Sequence, residues 1–167
     1  MTKPETLALS KMTAGLSNDY IEKTALKAIK NHYFLGVFPC DRHPSIDHRK
    51  KFSIVFNTGH SQSTGEHFIA IYCNKKQLYY FDSLGSTDID VNIANFIQET
   101  IKRRTLILCN KPIQHPISSF CGFYCIAFLL AKDKLCDDSI FYSYFNNKSL
   151  LENDKKVVYF ITTCFST

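Results

Sequence analysis

Hydrophobic positions along the chain change their period several times, and each change marks an element. Ile21, Ala25, Ala28 and Ile29 recur at helical spacing behind Ser17, Asn18 or Asp19 as a cap, which predicts a helix through His32. The polar, proline-punctuated stretch from Pro39 to Lys51 reads as loop. Phe52-Ser53-Ile54-Val55-Phe56 reads as a strand, and a Gly- and Ser-rich turn, Thr58 to Gly65, leads to a second strand, His67 to Cys73. This second strand is apolar on both faces, so it belongs mid-sheet. The turn Asn74-Lys75-Lys76 and a third strand, Gln77 to Phe81, complete a hairpin. Helical spacing returns at Ile93, Phe96, Ile97 and Ile101 behind Asp88 or Asp90. The basic end Lys102-Arg103-Arg104 suits that helix's C-terminus and precedes a strand, Thr105 to Cys109. A Pro-bounded loop, Lys111 to Pro116, delivers the chain to a very apolar helix starting near Ser118. Helical stretches at 138–147 and 151–163 follow. The pattern is α+β, a central and mainly antiparallel sheet flanked by helices. Residues 1–16 read as a polar leader and 17–167 as a single domain, with no repeat and no second core.

Composition narrows the classes without choosing among them. The 167 residues are 45% hydrophobic and 21% charged, which is globular rather than disordered composition. Twenty Lys and Arg against fifteen Asp and Glu leave a net charge of +5, which permits a nucleic-acid partner without demanding one. The basic residues occur in short runs, His48-Arg49-Lys50-Lys51, Lys75-Lys76 and Lys102-Arg103-Arg104, which could follow a phosphate backbone or be ordinary solvated surface. The N-terminus lacks the apolar segment of a secretory signal, and the longest apolar run, Phe120 to Ala131, is too short to span a bilayer. An intracellular protein with no membrane contact is expected. Seven cysteines, an odd number, then read as reduced and mostly buried, not as a disulfide framework. No Cys-x-x-Cys pair occurs, and no metal site is expected. Phosphate-binding glycine loops, dinucleotide fingerprints, zinc-protease helices and serine elbows are absent as well.

Three places put a reactive side chain where an element begins or ends. His67 opens the second strand, Asp82 follows the third in Tyr-Tyr-Phe-Asp-Ser-Leu-Gly, and Cys121 starts the apolar helix. The hairpin brings His67 and Asp82 to one end of the sheet, where the carboxylate can orient the imidazole. Cys121 near a helix N-terminus meets unpaired N–H groups and the positive end of the dipole, which favour thiolate over thiol. Gly122 allows close approach at the next backbone position. Gln114 can turn its amide toward an oxyanion, with the Cys121 N–H as a second donor. Taken singly, each residue has an ordinary explanation: a packed Cys, a surface His, a turn-forming Asp beside Ser83 and Gly85, a loop Gln. In combination, their order and spacing describe an acyl-transfer site.

That combination resembles the adenovirus-type cysteine endopeptidases (adenain), within the wider group that includes the Ulp-type SUMO proteases. The resemblance runs from about Tyr33 to Leu130 and rests on four segments. These are Tyr33-Phe34-Leu35-Gly36; Ser53 to Gly59 continuing through Gly65-Glu66-His67-Phe68; Tyr80 to Gly85; and Gln114 to Cys125. Carried over residue by residue, His67 matches the base, Asp82 the orienting acid, Cys121 the nucleophile and Gln114 the oxyanion donor. Six residues separate Gln114 from Cys121, as in adenain, whereas the Asp-Ser-Leu around the acid is the Ulp-like form. Phe68 stands where the family usually has Trp, replacing an indole–imidazolium contact by a weaker ring contact.

The resemblance implies an adenain/Ulp-like fold with the nucleophile at the N-terminus of a buried helix. It implies a cysteine endopeptidase that cleaves viral precursor proteins during virion maturation, at sites with small residues such as Gly. No cofactor is required for that chemistry, and a monomer in the host nucleus or the virion is expected. DNA and a disulfide-linked viral peptide are the activators the family suggests. The position matching the disulfide cysteine, counted back from Gln114 without gaps, falls on Arg103, with Cys109 the nearest cysteine. The alternatives are a deconjugase acting on ubiquitin-like proteins and a non-catalytic capsid or DNA-binding module on the same scaffold.

Overall fold

The computed structural model describes residues 16–29, 33–47, 49–63, 67–134, 137–145 and 148–165. The leader expected at 1–16 therefore lies outside the described residues except for Leu16, as do residues 30–32. Helix α1 (Asn18–Ala28) starts where the Ser17 hydroxyl accepts the Tyr20 N–H at 3.2 Å. It ends at Ala28, short of His32, with the Ile29 N–H closing onto the Ala25 carbonyl. Next come β1 (Phe34–Pro39), β2 (Phe52–Asn57), β3 (Phe68–Cys73) and β4 (Gln77–Phe81). Helix α2 (Val91–Ile101), capped by Asp90 and not Asp88, leads to β5 (Thr105–Cys109). Helices α3 (Cys121–Asp133), α4 (Asp138–Ser143) and α5 (Leu150–Phe165) complete the order.

The five strands lie in sequence order in one sheet. Its centre is antiparallel, β2 on β3 and β3 on β4, as the hairpin pattern requires. Both outer pairs, β1 on β2 and β4 on β5, are parallel, so the sheet is mixed. Strand β1 had no alternating pattern to announce it: Gly36 interrupts the run with φ +127, and the register slips between Phe34 and Val37. The mixed pairing has a consequence for the site. Strands β1, β2, β4 and β5 all end, and β3 begins, at the same edge of the sheet.

Helices cover both faces, which explains why β2 and β3 are buried along their whole length. Phe52, Ile54, Phe56, Ile69, Ile71, Leu78 and Tyr80 meet Ile93, Phe96 and Ile97 of α2 on one side. On the other side, Val55, Phe68, Ala70 and Phe81 pack with α1, α3 and α5. Phe81 stacks on Phe128 with centroids 4.4 Å apart. α3 carries apolar side chains nearly all round because α1, β3 and α5 enclose it. It starts at Cys121, three residues later than Ser118, and Phe120 supplies no side-chain cap. Likewise α4 is a short helix that stops at Ser143. Lys132 ties the end of α3 to α4 through Asp138 and lies over the Tyr79 ring at 3.8 Å.

Candidate active site

His67 is the residue before β3, and its carbonyl accepts the Thr58 N–H at 2.8 Å, extending the β2–β3 ladder by one step. Asp82 is the residue after β4, and its N–H donates to the Cys109 carbonyl at 3.1 Å, extending the β4–β5 ladder in the same way. Backbone pairing thus carries both residues to one sheet edge. There His67 Nε2 lies 2.9 Å from Asp82 Oδ1. The carboxylate side chain is 2% exposed and the imidazole 19%, so one partner is sealed in the protein while the other borders solvent. The Leu84 N–H also donates to Asp82 Oδ1 at 2.8 Å and holds the carboxylate from behind.

Cys121 is the first residue of α3, and its Sγ accepts the Phe68 N–H at 3.4 Å. The same tripeptide region therefore supplies the imidazole and a donor to the sulfur. With no side-chain cap at Phe120, the first turn of α3 directs its N–H groups and the positive end of its dipole toward Cys121. Gly122 makes this placement fit: a Cβ there would collide with the Ile21 side chain of α1. Phe68 turns its ring into the core beside Gly122, and among the described residues it forms no ring contact with His67, contrary to the expectation for the Trp position.

The charge state of His67 follows from opposing influences. Burial pushes its pKa down, but the bonds to Asp82 and Cys121 outweigh burial and lift it from 6.5 to about 9. With Nε2 engaged by the carboxylate, Nδ1 is the ring nitrogen not held by Asp82. The helix neighbour Cys125 is fully enclosed, and burial drives its thiol well up. Cys40, Cys73, Cys109, Cys121 and Cys125 are free and buried, and Cys164 is free and exposed; Cys136 lies outside the described residues.

Gln114 approaches from the loop between β5 and α3. Its Nε2 donates to the Ser118 carbonyl at 2.8 Å, and its Oε1 accepts the Ser83 hydroxyl at 2.6 Å. The loop is irregular, yet several of its buried groups are paired, although Asp154 Oδ2 beside it has no partner among the described residues. Ile113 and Gln114 N–H groups donate to the Ser83 carbonyl, at 2.9 and 3.0 Å. The Ile113 carbonyl accepts Asn153 Nδ2 at 2.9 Å, and the Tyr124 hydroxyl lies 3.2 Å from it. Asp154 Oδ1 accepts the Tyr124 hydroxyl at 2.9 Å and the His115 N–H at 3.3 Å. Burial raises the Asp154 carboxyl above its ordinary range, opposed by these bonds and by Ser118. At the other end Gly85, with φ +77, lets the Asp82–Gly85 turn press on the loop; a Cβ there would lie 2.7 Å from Pro112 and 2.8 Å from the Asn110 carbonyl.

Ser83, Tyr124, Asn153 and Asp154 were not singled out by sequence pattern. One signal was present: Asn153 and Asp154 precede Val157 and Val158 by four positions, so they fall on the apolar face of α5. A second set of side chains, Cys40, Asp41 and His60, also converges, with one ligand atom from each lying within 4.8 Å of the others. Both Asp41 oxygens already accept from Ser61, its N–H and its hydroxyl, at 2.8 Å each. Three donors are also one short of a closed structural zinc site.

Comparison with known proteins gives the arrangement a context. Residues 34–148 match the family model described as adenovirus endoprotease. The protease of Bovine adenovirus 2 is 33% identical over 112 residues, which cover 59% of this chain and 54% of that protein. More widely, the chain spans 54% to 66% of the length of the curated relatives it matches. Among solved structures, the ASFV protease superposes with TM-score 0.68 at 20% identity, over 92% of this chain and 68% of the other. The SUMO protease Ulp1 superposes with TM-score 0.54 at 16% identity, over 100% and 97% of the two chains. At such identities the last two establish the fold alone. Among the described residues no helix is long and apolar enough to cross a membrane.

Proposed function

Since the chain belongs to the adenovirus endoprotease family, we propose that it is a cysteine endopeptidase whose reaction is carried by Cys121, His67, Asp82 and Gln114. The observation that supports this most is the His67–Asp82 bond at 2.9 Å beside a helix-start cysteine whose sulfur accepts the Phe68 N–H. Cys121 Sγ, as thiolate, adds to the scissile carbonyl carbon. The oxyanion that forms is held by Gln114 Nε2–H and the Cys121 N–H. As the C–N bond breaks, His67 gives its proton to the leaving amine, and a thioester remains on Cys121. His67 then removes a proton from water, the resulting hydroxide adds to the thioester, and the acid product leaves with the thiolate restored. Asp82 keeps the imidazole oriented and stabilises its charged form throughout.

The substrates in this reading are viral precursor proteins cut at small-residue sites during virion maturation, in the infected cell or the particle. A cleft of about 930 Å³ is lined by Asn18 of α1, Asn57 at the end of β2 and His60, and none of the four site residues lines it. The test pairs a peptide vinyl sulfone with a Gly-containing precursor peptide. Labelling of Cys121 far faster than of exposed Cys164, lost in Cys121→Ser, together with cleavage of the peptide, is the expected result. Equal labelling of the two cysteines would sink the catalytic reading. Turnover of a ubiquitin-like C-terminal reporter, with no cleavage of the peptide, would replace maturation by deconjugation.

A further inference from the structure

Ser83 follows Asp82 directly and is completely buried. Its hydroxyl donates to Gln114 Oε1, and its carbonyl accepts the Gln114 and Ile113 N–H groups. A side-chain amide has donors at one end and lone pairs at the other, so what matters for an oxyanion is which end faces it. Two contacts decide this for Gln114. The Ser118 carbonyl can only accept, so it requires Nε2 on its side; the Ser83 hydroxyl supplies the proton that Oε1 needs on the other. Nε2 carries two hydrogens, and one remains after Ser118 is served. A flipped amide would set Oε1 against the Ser118 carbonyl and offer a lone pair where an N–H is needed, turning attraction into repulsion.

From these contacts we propose that Ser83 is a positioning residue for acyl transfer, its hydroxyl locking the Gln114 amide in the orientation that donates to the oxyanion. The inference rests on the endopeptidase reading above and deepens it. Ser83 touches no reacting atom. Without its hydroxyl, Oε1 becomes a buried acceptor with no partner among the described residues, and the amide loses the anchor at its oxygen end while the Ser118 carbonyl alone holds the other. Asp82 and Ser83, adjacent in the chain, thereby serve different parts of the reaction: one the imidazole, the other the oxyanion donor.

Oxyanion dependence gives a selective readout. Alkylation of Cys121 by iodoacetamide is a displacement at sp³ carbon and builds no oxyanion, whereas peptide cleavage does. The experiment measures kcat, KM and the Cys121 alkylation rate for the wild type, Ser83→Ala, Gln114→Ala and the double variant. Ser83→Ala is expected to lower kcat about tenfold to a hundredfold, a share of the 10²–10³ that a lost oxyanion donor costs. KM and alkylation should stay near wild type, and the double variant should be no slower than Gln114→Ala. A wild-type kcat in Ser83→Ala overturns the proposal. So does the same loss on the Gln114→Ala background as on the wild type, or a parallel fall in alkylation and cleavage, because each points to a merely structural serine. A wild type that alkylates rapidly yet cleaves no peptide fails earlier, at the endopeptidase reading, and removes the proposal with it.

Discussion

The two halves of the site are built by different means. His67 and Asp82 sit one residue beyond strand ends, and backbone ladders place them: Thr58 N–H on the His67 carbonyl, Asp82 N–H on the Cys109 carbonyl. Gln114 sits in a loop with no ladder; buried Ser83 bonds its amide, and Tyr124 and Asn153 hold the residue before it through the Ile113 carbonyl. A ladder sums many equivalent bonds, so no single side chain decides the position of the imidazole or its carboxylate. A side-chain brace concentrates the same task in a few polar groups that have no water to fall back on. The first half should therefore fail only through its own chemical groups. The second should fail through neighbours that never meet the substrate.

The largest effect is expected from removing the imidazole. His67→Ala should lower peptide cleavage by about 10⁴-fold or more, the scale seen when a member of a nucleophile–base pair is lost. Alkylation of Cys121 near neutral pH should fall with it, since the imidazole that takes the thiol proton in the proposed reaction is gone. An unaltered alkylation rate would show that His67 does not govern the sulfur. Gln114→Ala comes next, at about a hundredfold to a thousandfold in kcat. It should leave alkylation intact, which separates the two halves by chemistry. If both variants slow both reactions equally, the division drawn here is wrong.

How much of this was legible in the chain follows the same division. The hairpin's alternating and continuous apolar runs placed β2, β3, β4 and β5 within a residue or so, and with them the positions of His67 and Asp82. Asp90 as a cap and the spacing of Ile93, Phe96 and Ile97 placed α2. What period-based reading missed is what has no period. Strand β1 is interrupted at Gly36 and pairs in parallel with the next strand, so no hairpin turn marks the pair. α3 starts at Cys121 instead of near Ser118, where both the N–H and the Oγ of Ser118 are turned to the His115 carbonyl in the loop, each at 3.0 Å. Asn153 bonds Ile113 across forty positions, a distance no local pattern reports. Polar residues on the apolar face of α5 were the visible trace of that brace.

Asn153→Ala tests the brace itself. The residue is fully buried, and its loss leaves the Ile113 carbonyl with only the longer contact from the Tyr124 hydroxyl, at 3.2 Å, among the described residues. Urea unfolding should show a loss of about 1–3 kcal/mol, the cost of an unsatisfied buried polar group. Cleavage in the folded protein should drop by less than in Gln114→Ala, with Cys121 alkylation unchanged. A variant as stable as wild type would mean that the loop is held without α5.

The last effect is a slope. In the folded protein the His67 pKa stands near 9, against 6.5 in the unfolded chain. Below 6.5 the imidazole is protonated in both states, and its bond with Asp82 contributes in full. Between 6.5 and 9 the unfolded chain has released the proton while the folded one retains it, so fewer protons are bound on unfolding and stability falls as pH rises. Above 9 that contribution is gone. The melting temperature of the wild type minus that of His67→Gln should therefore shrink across this window. The charged and titratable groups that act on His67 are Asp82 and Cys121. Asn153→Ala should be less stable at every pH yet keep the wild-type slope, because the amide it removes does not titrate. A flattened slope in Asn153→Ala would show that the loop brace and the imidazole are coupled, and the two halves would have to be treated as one.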